Sequence, residues 1–180
     1  MIQLPDFEKA WDYENGFHLT CDISRISKIL AQWELFRMVQ DVPGDIVECG
    51  VFKGASLARF AAFRQLLGNP FSKKIIGFDI FGKYPETSFT DDKPFRQRFV
   101  QGAGEQSISV EQLMTVLEHK KCEQNVELVA GNICDTVPRY VELSVKNFTA
   151  QPGHRHLRTR GNDSRISVPA HREGWYFDYR

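Results

Sequence analysis

Apolar positions along this chain alternate between two periods. From Asp22, a plausible N-cap, Ile23, Ile26, Ile29, Leu30, Trp33 and Phe36 recur every three or four positions, which predicts an amphipathic helix to about Met38. After Pro43-Gly44 the run Asp45 to Cys49 is short and apolar, as in a buried strand, and from Ala55 the helical period returns with Leu57, Phe60, Ala61 and Leu67 until Gly68-Asn69-Pro70 stops it. Lys74 to Asp79 predicts a second buried strand that ends in a carboxylate. Ser109-Val110-Glu111-Gln112 fits a capping box ahead of Leu113, Val116 and Leu117, so a helix is expected to about Lys120, followed by a third strand at Val126 to Ala130. Asp135 to about Glu142 predicts a short helix, with Pro138 tolerated in its first turn. Short apolar strands that alternate with helices make an α/β chain with a doubly wound parallel sheet.

Two stretches depart from this alternation. Residues 2 to 20 carry Phe7, Trp11, Tyr13 and Phe17 among polar residues, too aromatic for a disordered leader, and are expected to pack as an arm or lid. Ile80 to Gln106 is polar, aromatic and rich in turn residues, which suggests an insertion over the mouth of a ligand site.

The length of 180 residues suits one domain with a real core. No apolar run approaches the ~18 residues of a membrane span, and the first residues lack a basic stretch followed by an apolar one, so a cytoplasmic protein with no membrane partner is expected. The cysteines (Cys21, Cys49, Cys122, Cys134) lie far apart with no C-x-x-C pair, which predicts free thiols rather than zinc or disulfides. A net charge of zero hides an asymmetry: residues 143 to 180 hold seven Lys+Arg against three Asp+Glu, and three of the five histidines.

The chemistry concentrates at Gly44-Asp45-Ile46-Val47-Glu48-Cys49-Gly50-Val51-Phe52-Lys53-Gly54-Ala55-Ser56, a strand, a glycine turn and a helix start. Gly50 and Gly54 allow a sharp turn and close approach of a ligand to the backbone, and Glu48 at the strand end can accept hydrogen bonds from a cationic or hydroxylated ligand. The spacing is neither G-x-G-x-x-G nor G-x-x-x-x-G-K-[ST] but E-x-G-x-x-x-G. Asp79 closes the second strand 31 residues after Glu48, where a carboxylate can take two ribose hydroxyls in a fork, although a capping role is the plain alternative.

The E-x-G-x-x-x-G spacing resembles motif I of class I S-adenosyl-L-methionine (SAM) methyltransferases. From Tyr13 to Glu142 the chain further resembles the macrocin O-methyltransferase (TylF/MycF-type) family. The resemblance is carried by Tyr13-Glu14-Asn15-Gly16-Phe17, Val47 to Gly54, Phe78-Asp79-Ile80-Phe81-Gly82-Lys83-Tyr84-Pro85-Glu86 and Gly131-Asn132-Ile133-Cys134-Asp135-Thr136-Val137-Pro138. It implies a Rossmann-like class I methyltransferase fold and SAM-dependent methylation of a hydroxyl of a deoxysugar or sugar-bearing small molecule. It also implies that Glu48, Gly50, Gly54 and Ser56 shape the methionine and ribose end of the cofactor, that Asp79 binds the ribose, and that Asn132 and Ile133 border the adenine. Gly54 as a packing glycine and Ser56 as a first-turn polar residue are the bland alternatives.

The resemblance stops near Glu142. The family continues with a fourth strand ending in D-x-D-x-Y-E-P, a helix and a fifth strand after Gly-Gly, and these elements bear the acids for Mg2+ or a similar divalent cation; no such ligands and no catalytic residue are identifiable here. Asp91 and Asp92 read as a solvated turn rather than a metal pair, and Asp163 and Asp178 stand in unpatterned sequence. Codons for the stretch from about Val145 onward, read one base later, can spell the missing segment, so the chain is expected to divide into an incomplete SAM-binding domain, 1 to 142, and an irregular, out-of-frame basic tail, 143 to 180. Only the first half of the sheet is then present, and its central strand is expected to expose an edge through which copies associate. A non-catalytic SAM- or nucleotide-binding module is the alternative function. Nucleic-acid binding through Arg155, Arg158, Arg160, Arg165 and Arg172 follows from charge alone and is not expected.

Overall fold

The three apolar runs pair as a parallel sheet in the order β1-β2-β3, with β1 Ile46–Cys49, β2 Ile75–Asp79 and β3 Val126–Ala130. The computed structural model describes residues 2–84, 86 and 93–150, with side chains as far as residue 143. Ile46 stands opposite Ile75 and Ile75 opposite Val126, so the three carboxyl ends lie level. Helices follow in chain order: α1 Ala10–Thr20, α2 Ile23–Met38, α3 Ala55–Leu67, α4 Lys93–Ala103, α5 Val110–His119 and α6 Ile133–Ala150.

Neighbouring residues of a strand point to opposite faces, and β2 shows that both faces are covered. On one face a Cβ at Gly77 would lie 2.5 Å from Leu57 Cδ1 of α3, so glycine lets α3 settle directly on the sheet. On the other face the Phe78 ring meets Tyr140 of α6 edge-on, with centroids 5.4 Å apart. The core on the α3 side joins Leu57, Ala61, Ile75, Leu113 and Leu117, each at most 1% exposed. Because crossovers are right-handed, α3 and α5 carry the chain from β1 to β2 to β3 along one face, and α6 packs on the other.

The side of β1 away from β2 is unpaired among the described residues. Ile46 N–H donates to the Lys74 carbonyl and Gly50 N–H to the Phe78 carbonyl, both at 2.8 Å. Strand alternation then turns the N–H and C=O of Val47 and Cys49 away from β2, and Val47 is 54% exposed.

At the amino end of the sheet Arg64 of α3 is 1% exposed. Its Nη1 donates to the carbonyls of Lys73 and Asn125, both at 2.9 Å, and its Nη2 to those of Cys122, at 3.3 Å, and Gln124. On the α6 face Lys74 pairs with Glu127, and the Tyr140 hydroxyl donates to Glu127 Oε2 at 2.7 Å. Burial works to raise the Glu127 pKa, but hydrogen bonds from Lys74 and Tyr140 outweigh it and hold the group below its usual range.

Several boundaries differ from the sequence expectation. The last helix starts at Ile133 rather than Asp135, because Asn132 Oδ1 accepts the Cys134 N–H at 3.0 Å and caps it. It runs past Glu142 to Ala150, since Leu143 to Ala150 contains neither Gly nor Pro, and the earlier start puts Pro138 in the second turn. The insertion contains α4, whose Pro94 sits in the first turn, where its missing N–H costs no helical bond. The arm expected at residues 2 to 20 is divided. The Ile2 carbonyl accepts from Gln112 Nε2 at 2.6 Å, Phe7 stacks on His119 at 4.3 Å, and α1 buries no residue. The four cysteines are free thiols. Asp91, Asp92 and the tail from 151, with its arginines, Asp163 and Asp178, lie outside the described residues.

Candidate functional site

The cofactor-site residues expected from the sequence, Glu48, Gly50, Gly54, Ser56, Asp79, Asn132 and Ile133, come to the carboxyl edge of the sheet. Gly50, at φ 88°, turns the chain out of β1, and Gly54, at φ 80°, starts α3. Their surroundings differ. A Cβ at Gly54 would lie 2.7 Å from Leu113 Cδ1, whereas one at Gly50 would meet nothing within 4 Å. Gly54 is therefore a packing glycine as well as a turn residue, and Gly50 faces open space that a ligand can enter.

Asp79 ties this turn to its own. Its Oδ2 accepts the Phe52 N–H at 2.8 Å and its Oδ1 accepts the Phe81 N–H at 3.0 Å. Phe52 and Phe81 both stand at φ 51°, uncommon for a bulky residue, and each is held there by the same carboxylate. The capping alternative is thus satisfied in full, yet an ionised carboxylate offers about four lone-pair sites, so acceptor capacity remains for two ligand hydroxyls. The Asp79 carbonyl also accepts the Gly131 N–H at 2.9 Å, which brings Asn132 and Ile133 to the same edge. Asn132 is exposed and its side-chain oxygen is engaged in the cap of α6, while Ile133 is half-buried.

Glu48 is the electrostatic oddity. Its Oε2 is buried with no hydrogen-bond partner. Burial pushes its pKa up to about 7, against the Ser56 hydrogen bond and the charges of Lys28 and Arg59, which lower it, while Asp79 adds to the rise. Ser56 Oγ accepts from Gln32 Nε2 of α2 at 2.7 Å, and Gln32 Oε1 accepts from Arg59 Nη1. Gln32 and Arg59 were not legible as site residues. Ser56 and Arg59 share a face of α3 by their spacing of three, but nothing local announces a partner on α2.

Over the turn lies α4. Phe99 packs against Phe52 and against Tyr84, each at 5.1 Å, and Lys53 Nζ donates to the Ala103 carbonyl at 2.6 Å. Of the insertion expected over the ligand mouth, α4 therefore packs directly on the glycine turn. A cavity of about 300 Å³ lies instead at the amino end of β1, lined by Leu35, Phe36, Val42, Ile46, Phe60 and Lys73, away from the residues above.

The arrangement fits a nucleoside-bearing cofactor: an open backbone turn, a carboxylate with spare acceptor capacity at the next strand end, and a buried carboxylate oxygen awaiting a donor. Among the described residues no three His, Cys, Asp or Glu side chains converge as a set of metal ligands. No described helix is long and apolar enough to cross a membrane.

No family model and no curated protein matches the chain. Solved structures do. Two structures of CalS11, a calicheamicin methyltransferase described as a TDP-rhamnose 3'-O-methyltransferase, align at 26% identity. The apo structure covers 76% of this chain and 54% of its own with a TM-score of 0.47, and the other covers 78% and 56% with 0.48. The O-methyltransferase NovP aligns at 19% identity over 63% of this chain and 48% of its own, with a TM-score of 0.52. The chain thus spans about half the length of the structures it matches, and its fold is Rossmann-like, of the kind found in methyltransferases.

Proposed function

We propose that this chain is the cofactor-binding half of a SAM-dependent O-methyltransferase, acting on a hydroxyl of a deoxysugar or other sugar-bearing metabolite in the cytoplasm. The observation that carries the proposal is the juxtaposition of the open turn at Gly50, Asp79 and the unpartnered Glu48 Oε2 at the carboxyl edge of a parallel sheet, the edge outside which ligands of such folds bind. SAM, when bound, supplies an electrophilic methyl group on a sulfonium.

The chain's own residues do the holding. Gly50 admits the ligand against the backbone, the spare lone pairs of Asp79 accept ribose hydroxyls, Glu48 Oε2 accepts from an ammonium, Ser56 favours the charged form of Glu48, Gly54 fixes the start of α3, and Ile133 with Asn132 borders the base. No step is assigned to a metal. Resemblance to the TylF/MycF-type family, rather than any residue described here, supports the sugar acceptor and the family's divalent cation.

Calorimetry with SAM and S-adenosylhomocysteine tests the proposal: binding by the unsubstituted chain that is lost in Gly50→Ala, with circular dichroism showing that the strained variant still folds, is expected, and no binding by the soluble chain overturns it. Binding without turnover is expected of the 180-residue chain. A radiolabelled-methyl assay with a deoxysugar nucleotide that reached rates typical of an enzyme, about 1 per second or faster, would refute that. We further propose that the region after about Val145 is read out of frame, which sequencing of the coding DNA decides.

A further inference from the structure

We infer that Gln32 is a positioning residue: it holds Arg59 away from Glu48, so that Glu48 Oε2 stays open to a cationic group of the ligand, of the ammonium class. The inference rests on the cofactor reading above for the identity of that ligand, but its geometry stands without it.

A glutamine amide accepts at one end and donates at the other. Gln32 Oε1 accepts from Arg59 Nη1, and Gln32 Nε2 donates to Ser56 Oγ at 2.7 Å. The Ser56 hydroxyl, having accepted there, keeps its own hydrogen to turn toward Glu48, whose pKa it acts to lower. The donors therefore run in one direction, from Arg59 to Gln32 and from Gln32 to Ser56, and none of them reaches Glu48 Oε2, which is buried and unpartnered. A buried acceptor without a donor is costly, and a ligand that brings the donor recovers that cost on binding.

The groups that act on Glu48 come from every element around it: Lys28 on α2, Ser56 and Arg59 on α3, and Asp79 on β2. Cys49 beside it has a thiol pushed up, first by burial and then by the Glu48 charge. Arg59 and Glu48 interact electrostatically, yet no ion pair joins them among the described residues. Without the Gln32 carbonyl the guanidinium loses the acceptor that holds it, and Glu48 is the unsatisfied anion nearby. An internal ion pair would then take the ligand's place.

The test reads the Glu48 carboxyl by 13C NMR in the ligand-free chain and S-adenosylhomocysteine affinity by calorimetry. In Gln32→Leu the Glu48 midpoint is expected to move acid-ward by roughly 1 pH unit or more, as for a carboxylate that gains a guanidinium partner. Affinity at pH 8 is expected to fall about ten-fold. Gln32→Glu still holds Arg59 but adds a negative charge, so its midpoint is expected to move the other way, which simple loosening of α2 would not produce. The double variant Gln32→Leu/Arg59→Met, in which the guanidinium that would collapse onto Glu48 is gone and Lys28 is unchanged, is expected to regain most of the affinity.

An unmoved midpoint in both single variants, or a double variant that binds no better than Gln32→Leu, overturns the positioning role. If the midpoints move as expected while the unsubstituted chain binds no cofactor, the positioning role stands and the cofactor reading fails.

Discussion

The carboxylate of Asp79 accepts the backbone N–H of Phe52 at 2.8 Å, so the last residue of β2 fixes the turn that leaves β1, 27 positions earlier in the chain. With Phe81 held by the other oxygen at 3.0 Å, one side chain stabilises two non-glycine residues at positive φ. Asp79→Ala is expected to destabilise the fold by about 1–3 kcal/mol in urea titration, through two partly buried N–H groups left unmade, and to weaken SAM binding. Asp79→Asn should cost nearly as much, because its NH2 would face one of the two donors. SAM affinity unchanged in Asp79→Ala would remove the residue from the site.

Gly50 and Gly54 separate turn from ligand space. Both stand at positive φ, so alanine at either costs roughly 1–2 kcal/mol of backbone strain. Gly54→Ala adds overpacking against Leu113 and should be the less stable variant by about a further 1 kcal/mol, measured by chemical denaturation. Larger side chains at Gly50 should instead impair ligand binding more than stability.

Glu48 makes ligand-free stability depend on pH. The unfolded chain releases its proton near 4.5 and the folded chain near 7, so between those values the folded state binds more protons. Stability should therefore fall as pH rises through that window, by on the order of 2–3 kcal/mol. Glu48→Gln should flatten this part of the profile in urea midpoints taken from pH 4.5 to 8.

Arg64→Lys should cost on the order of 3 kcal/mol, because a point-like ammonium cannot reach the four carbonyls that the buried guanidinium bridges. Thermal unfolding of the variant, compared with surface Arg37→Lys, checks this.

We propose that copies associate through the free edge of β1. Hydrogen exchange should then separate alternate amides in dilute monomer, with Ile46 and Gly50 protected by β2 and Val47 and Cys49 exchanging fast. Val47→Lys should abolish association in size-exclusion chromatography, since a charge on an edge disfavours strand addition. Protection of Val47 and Cys49 in a monomer would mean that another part of the chain covers the edge.

The sequence alone determined the strands, the capped helices and the glycine turn, because each is written in contiguous residues. An apolar run ending in Asp79, a capping box at Ser109 and Gln112, and Gly50 before a helical period are short-range facts of backbone preference and burial. The helix over the mouth stayed hidden because Pro94 and Gly102 look like turn chemistry, and only its contacts with Phe52 and Lys53 show where it lies. Which acceptors are spent and which are free was decided by tertiary structure. Asp79 meets Phe52 across 27 residues and Gln32 meets Ser56 across 24, and such partners are chosen by how helices settle on the sheet rather than by any local period. The buried Glu48 oxygen follows from the same packing: the sequence puts a carboxylate at a strand end, and the fold removes it from water without giving it a donor.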